Sequence, residues 1–364
     1  MSRFVRLCEV SSPTGQEGEI TAMVKSELES FGLAVVEDDA AGPAGAGSGN
    51  LLARIDGEQP GYVLFCAHLD TVPHNGPIEV VLDEDTYRSA GDTILGADNK
   101  AAVAVLMELA SRYRDKKPPI GIELLFTVAE EQGLRGAAAF DMGLLEATTG
   151  YVFDHATDIG EIITAAPSLV RINAEFTGVE AHAGLVPESG RSAIAAAATA
   201  ISEMNLGRVD DETTANIGRI EGGSSGNVIP GRCLVSGEAR SIDPDRVIEV
   251  IAEFSDSMIS AASEAGCEVD IVTEEVFRGY RIAPDSTALA VAEEALRARG
   301  HEARHVSTGG GSDAHVFILR GMDALLLANG TYDNHTSDES VPRANLAEML
   351  EICEEILAGT AARC

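Results

Sequence analysis

Three mainly apolar runs, at residues 62–67, 120–129 and 151–153, each stop at side chains able to bind a cation: His68 with Asp70, the pair Glu130-Glu131, and Asp154. In an open α/β sheet the carboxyl ends of the strands converge on one crevice. A chain that repeats this pattern is therefore constrained to a layered α/β fold with acids and histidines gathered at one sheet edge. A further apolar run at 324–327 leads into the polar loop Asn334-His335-Thr336-Ser337-Asp338-Glu339, and Asp98 lies in the turn 91–100 that leads into a helical stretch.

The spaces between these runs read as helices. Residues 17–31 are amphipathic and stop at Gly32, and 99–114 has helical spacing, whereas 42–49 reads as a surface loop from its glycine, alanine, proline and serine. Strands alternating with helices predict helices on both faces of a sheet. Around 165–168 the pattern changes. A strand at 170–176, a histidine-containing loop, an alanine-rich helix at 192–204, a glycine-rich segment at 222–226, a strand at 234–239, a helix at 246–262 and a strand at 268–276 suggest a ferredoxin-like split βαβ unit. Beyond about residue 278 the first pattern returns, with helices at 285–299 and 344–358. The expected organisation is a discontinuous catalytic domain, 1–166 and 278–364, with an inserted lid domain, 167–277, hinged near 165–168 and 276–279.

Composition narrows the partners. The formal charge of -33 repels nucleic acid and anionic membrane surfaces, so neither is expected. No apolar run reaches membrane-spanning length, and residues 1–10 lack the apolar core and cleavage site of a secretory signal. Cys8, Cys66, Cys233, Cys267, Cys353 and Cys364 form no C-x-x-C pair and read as reduced thiols. The expected location is the cytoplasm.

Each motif alone has an ordinary explanation. An isolated H-x-D is usually a strand-end histidine and a turn aspartate, Asp98 at a helix start is a natural N-cap, and adjacent acids such as Glu130-Glu131 are usually solvated. Their recurrence at strand ends weakens those readings. In a strand His68 and Asp70 share a face, which suits a metal-bound imidazole oriented by a carboxylate, the role expected of Asp70. The donors are imidazoles and carboxylates without thiolate, a set that suits Zn²⁺ and also Co²⁺ or Mn²⁺.

In combination, His68-Leu69-Asp70-Thr71, Gly96-Ala97-Asp98-Asn99-Lys100, Glu130-Glu131, Asp154 and Asn334-His335-Thr336 closely resemble the co-catalytic zinc peptidase family that includes peptidase T, glutamate carboxypeptidases and aminoacylases. The resemblance implies a mixed-sheet catalytic domain and two divalent ions. His68 and Asp154 would hold one, Glu131 and His335 the other, with Asp98 bridging and Glu130 as general base. It further implies that His182, in Glu180-Ala181-His182-Ala183-Gly184, binds the oxyanion, in a homodimer formed through the lid and from the partner subunit. Asn227 would approach substrate and Arg240 would take a substrate carboxylate, while Gly310 and Ser312, in Gly309-Gly310-Gly311-Ser312-Asp313, would bring backbone close to a ligand.

The runs 91–100 and 309–313 are most similar to peptidase T, which implies an aminopeptidase acting on short peptides. Asn99 stands where many relatives have aspartate, and proline is missing after His182. Those departures leave tripeptides, dipeptides and acyl amino acids open as substrates. A carboxypeptidase or an N-acyl or N-carbamoyl amino acid amidohydrolase would use the same metals. A non-catalytic metal-binding scaffold is disfavoured because Glu130 and Glu131 are both present.

Overall fold

The computed structural model describes residues 2–363, so Cys364 lies outside the described residues. The principal strands are β1 (Leu51–Ile55), β2 (Gln59–His68), β3 (Ile120–Thr127), β4 (Thr149–His155), β5 (Glu161–Ala166), β6 (Ser168–Thr177), β7 (Thr213–Gly222), β8 (Arg232–Ser241), β9 (Glu268–Phe277) and β10 (Asp323–Ala328). The principal helices are α1 (Gly18–Ser30), α2 (Ala97–Arg112), α3 (Ala193–Glu203), α4 (Pro244–Glu264), α5 (Thr287–Ala298) and α6 (Arg343–Ala361). Ala165–Arg281 forms one compact unit, and the chain on either side of it forms another.

In the larger unit the sheet order runs β1, β3, β2, β4, β10, β5, with Val35–Glu37 beyond β1. The central pairs β3 with β2, β2 with β4 and β4 with β10 are parallel, while β1 and β5 are antiparallel to their neighbours. All of β3 and the second half of β2 are buried, as fits strands covered on both faces. Val63, Phe65 and Ala67 join one large core with α1, α2, α5 and α6, so the period of two turns Leu64, Cys66 and His68 to the opposite face. There a short helix, Ala314–Leu319, packs on β4 and β10.

The smaller unit carries an antiparallel sheet in which β7, β8, β6 and β9 lie side by side, with Gly207–Asp210 added at the β7 edge. With α3 after β6 and α4 after β8, this is the strand order of a ferredoxin-like fold. The apolar sides of α3 and α4 close a separate core around Ile172, Phe176, Val235, Phe254 and Met258.

Two local readings of the sequence are corrected. The surface loop expected at 42–49 begins within a short helix, Ala41–Ala44, ended by Gly45 in the left-handed region. Strand β7 stood outside the recognised strands, because Thr-Thr-Ala-Asn-Ile-Gly-Arg-Ile-Glu-Gly is polar, glycine-interrupted and mostly exposed.

Candidate active site

The four parallel strands end at one edge, and each delivers part of the site. His68 closes β2 in register with Thr127 of β3, and Asp154 lies at the end of β4. Glu130 and Glu131 follow β3. His335 lies in the loop after β10 with φ 66°, a left-handed conformation that histidine tolerates better than branched residues. Asp98 has the extended φ and ψ of a helix entry, -82° and 105°, and a cis peptide bond to Asn99, but its side chain turns to two imidazoles rather than capping the helix.

Those elements converge on the Asp98 carboxylate. Its Oδ1 lies 3.2 Å from His68 Nε2, and its Oδ2 lies 3.1 Å from His335 Nε2. His68 Nε2 also lies 3.3 Å from Asp154 Oδ1, and His335 Nε2 lies 3.1 Å from Glu131 Oε1. Ligand atoms of His68, Glu130 and Asp154 form one compact group, and those of His68, Asp98 and Glu131 a second, all within 4.8 Å in each. The six residues thus make two adjoining nests with Asp98 facing both imidazoles.

The tautomer of His68 tests whether this arrangement suits a cation. Its Nδ1 lies 2.9 Å from the carbonyl oxygen of Asp70, which can only accept, so Nδ1 carries the proton. In the neutral ring Nε2 then presents a lone pair toward oxygens of Asp98 and Asp154. Acceptors facing acceptors require either a second proton or a cation between them. Glu131 Oε1 is likewise buried and makes no hydrogen bond, although His335 faces it. The donor set and these unmatched atoms fit divalent ions.

Electrostatics agree. Burial pushes the Glu130 carboxyl well above the ordinary range, with the Asp154 charge adding to it. Burial likewise carries Asp154 up to about 8, against the pull of His68. Despite its burial, His68 is held well above the usual histidine range by Asp154, Asp70 and Asp98. His335 rises to about 10 through the Asp98 and Glu131 carboxylates that face its Nε2. Without a cation this cluster therefore retains protons that divalent ions would displace.

Asp70 lies beside the His68 imidazole and also braces the neighbouring turn. Its main-chain carbonyl is 2.9 Å from His68 Nδ1 and its carboxylate Oδ1 is 3.5 Å away. The buried carboxylate also accepts from the backbone N–H groups of Glu130, at 3.0 Å, and Glu131, at 3.2 Å, and from the Thr14 hydroxyl at 2.7 Å. Asp70 therefore couples the His68 strand end to the turn bearing both glutamates.

Several buried groups inside or beside the quoted motifs have parts that the motifs alone do not reveal. Glu339 accepts from the N–H groups of Gly96, at 2.7 Å, and Asp98, at 2.8 Å, and so braces the turn that carries the central carboxylate. Asn99 Nδ2 donates to Asp154 Oδ1 over 2.9 Å. Asp313 lies on the Cys66 and Thr127 side of the sheet, its Oδ2 accepts from the Thr127 hydroxyl over 2.5 Å, and its Oδ1 is buried without a hydrogen bond. Burial raises it to about 6. Ser312 is fully buried, with its Oγ making no hydrogen bond and its N–H donating to His315 Nδ1 over 3.2 Å. Gly310 is partly buried, and its N–H donates to Thr308.

In the smaller unit His182 and Asn227 come together. Residues 181–182 pair with Val228–Ile229, and Ala183 N–H donates to the Asn227 carbonyl over 2.9 Å. His182 is exposed, and its Nδ1 accepts from Gly184 N–H. Arg240 lies elsewhere, near the far end of β8, with Nε donating to Glu238 at 2.8 Å. Eight residues of extended chain separate it from Arg232, about 26 Å at ~3.3 Å per residue. Within this unit Arg240 therefore does not share a locus with His182 and Asn227.

Comparison with known proteins gives the same grouping. An uncharacterized protein, YqjE, of Bacillus subtilis strain 168 is 34% identical over 359 residues, covering 98% of this chain and 97% of its own. The crystal structure of the aminopeptidase PepT from Bacillus cereus is 35% identical with a TM-score of 0.88, covering 99% of this chain and 97% of that one. A tripeptidase from Staphylococcus aureus is 33% identical with a TM-score of 0.93, covering 100% of this chain and 98% of that one. Residues 64–359 match the model of peptidase family M20/M25/M40, and the chain belongs to that family.

Proposed function

We propose that this chain is a peptidase T-like aminopeptidase that removes the N-terminal residue of short peptides, tripeptides foremost, with two divalent ions. The observation that carries the reading is Asp98, whose two oxygens face two different imidazoles with Glu130 beside them. The likeness to an aminopeptidase and a tripeptidase over nearly the whole chain supports the choice within the family.

In this reading His68 and Asp154 hold one ion, His335 and Glu131 the other, and Asp98 serves both. Zinc is the default for such donors, with Co²⁺ and Mn²⁺ compatible. Bound there, the ions lower the pKa of a water and polarise the scissile carbonyl. Glu130 takes the proton released by the attacking water and hands it to the leaving amine. Its place beside His68 and Asp154, with ligand atoms within 4.8 Å of one another, supports that role. Asp70 fixes the turn from which Glu130 acts. His182, exposed in the smaller unit, is assigned to the developing oxyanion.

The smaller unit is read as a lid and as the surface of a homodimer. Exposed Ile248 and Ile259 on α4 and Val272 on the edge strand β9 support an apolar contact there. Cytoplasmic residence is part of the same reading, supported by the five free cysteines among the described residues. No helix among the described residues is long and apolar enough to cross a membrane.

The test is a matched panel of free tripeptides, N-blocked tripeptides, dipeptides and N-acyl amino acids, given to chelated protein before and after Zn²⁺, Co²⁺ or Mn²⁺. Metal-dependent release of the N-terminal residue from free tripeptides, abolished by N-blocking, is expected. Cleavage of the blocked or acylated substrates instead would move the chain to the carboxypeptidase or amidohydrolase branch.

A further inference from the structure

Beyond β3 the chain turns toward the site with four consecutive N–H groups, each taken by a side chain from a distant segment. Asn50 Oδ1 accepts from Val128 at 3.1 Å, Glu17 Oε1 from Ala129 at 3.2 Å, and the two oxygens of Asp70 from Glu130 and Glu131. Ala129, immediately before Glu130, has φ 51°. A side chain with a Cβ rarely rests in that left-handed region, and alanine has no polar group to support itself there. The conformation is therefore held from outside, and Glu17 is the group on its N–H.

Glu17 is fully buried and pairs with no cation among the described residues. It directly precedes α1, yet its side chain does not cap that helix. Instead Oε1 also accepts from Gly15 at 3.0 Å, and Oε2 accepts from Gly47 at 2.6 Å. At Gly47 an added Cβ would fall 2.7 Å from the Glu17 nitrogen, so the loop closes on the carboxylate only because glycine stands there. Burying an anion without a counter-charge is a costly way to fill space. Its specific use is to offer acceptors on both oxygens to three N–H groups in fixed directions, which an amide cannot do.

We propose that Glu17 is a positioning residue for proton transfer by Glu130: by anchoring Ala129 it sets the direction in which the Glu130 carboxylate leaves the chain. The inference rests on the assignment of Glu130 as general base. Glu17 acts through the turn alone and touches neither the ions nor the peptide.

The experiment compares metal-loaded wild type, Glu17→Gln, Glu130→Ala and the double variant on a free tripeptide, with metal content measured on the same samples. In Glu17→Gln an NH2 group must face one of the N–H donors. Its kcat should fall at least about tenfold, as misplacement of a reacting group predicts, with KM and two metals per chain unchanged. In the Glu130→Ala background the same change should alter the residual turnover less than about twofold, because residues acting as a unit are not additive. A merely structural role would lower Tm and leave kcat per metal-loaded enzyme within twofold of wild type; that result, or an equal loss in both backgrounds, overturns the proposal. Full activity of Glu130→Ala alone would remove the base assignment itself, and is told apart by that single variant. Should Glu17→Gln fail to fold, Glu17→Asp keeps the charge but draws the oxygens back by one methylene, and is judged by the same criteria.

Discussion

At Asp98 one side chain faces two imidazoles, and its carboxylate is held well below the ordinary range by His335 and His68 although it is buried. A carboxylate in that position stays available to cations across the pH range in which enzymes work. Glu130 is the opposite case, a carboxyl whose burial favours the proton. Asp98 and Glu130 are thus pushed apart in proton affinity, while burial raises the proposed ligand Asp154 as it does Glu130. Glu130→Ala should lower kcat by roughly 10²–10⁴-fold with two metals still bound, the usual worth of a general base. Turnover together with metal content by mass spectrometry checks it; activity within a few-fold of wild type would remove Glu130 from the mechanism. The proposed ligands were legible because His68, Glu131, Asp154 and His335 each follow a strand-like run. Glu17, Glu339 and Asp313 were not, because their partners are backbone amides or hydroxyls, most of them far away in sequence, and no local pattern marks an acid that will be enclosed.

Four parallel strands ending together turn scattered residues into a site, and the turns beyond them need bracing. Glu339 supplies it for 96–98 by accepting from Gly96 and Asp98, in a setting where burial and the Asp98 charge raise its own carboxyl to about 7. Glu339→Ala frees two buried N–H groups and should weaken metal affinity by ~10–100-fold, the usual effect of removing a group that orients ligands. Metal-binding calorimetry on chelated protein would show it, and an unchanged dissociation constant would contradict the bracing role. At this scale the sequence marked the buried strands well, since β2 and β3 are apolar on both faces. It misjudged the start of α2, where Asp98 and Asn99 leave helical geometry. That departure comes from contacts to Glu339, His68, His335 and Asp154, which helical periodicity does not encode.

Across the molecule, each unit closes its own core, and the charged site belongs to the larger one. Its proton balance predicts how the metal-free protein responds to pH. Asp154, raised to about 8, and His335, raised to about 10, both bind protons more tightly folded than unfolded. For such groups the stabilising contribution is complete below the unfolded pKa and is lost as pH rises through the folded one. The Asp154 share therefore fades between about pH 4 and 8, and the His335 share between about 6.5 and 10. Asp98, shifted the other way, is ionised in both states above about pH 5 and adds no slope there. The Tm of chelated protein should fall from pH 6 to pH 9, and the rise on adding metal should grow over the same interval, because bound ions replace protons. A metal-free Tm that is flat or rises with pH would contradict this balance.

The two-ion site is tested most directly by titrating chelated protein with Zn²⁺ while following bound metal and tripeptide hydrolysis together. The structure predicts that two ions bind per chain, that turnover appears with them, and that Asp98→Ala loses both the stoichiometry and the activity. Full hydrolysis by protein with no bound metal, or two ions held normally by Asp98→Ala, would contradict it.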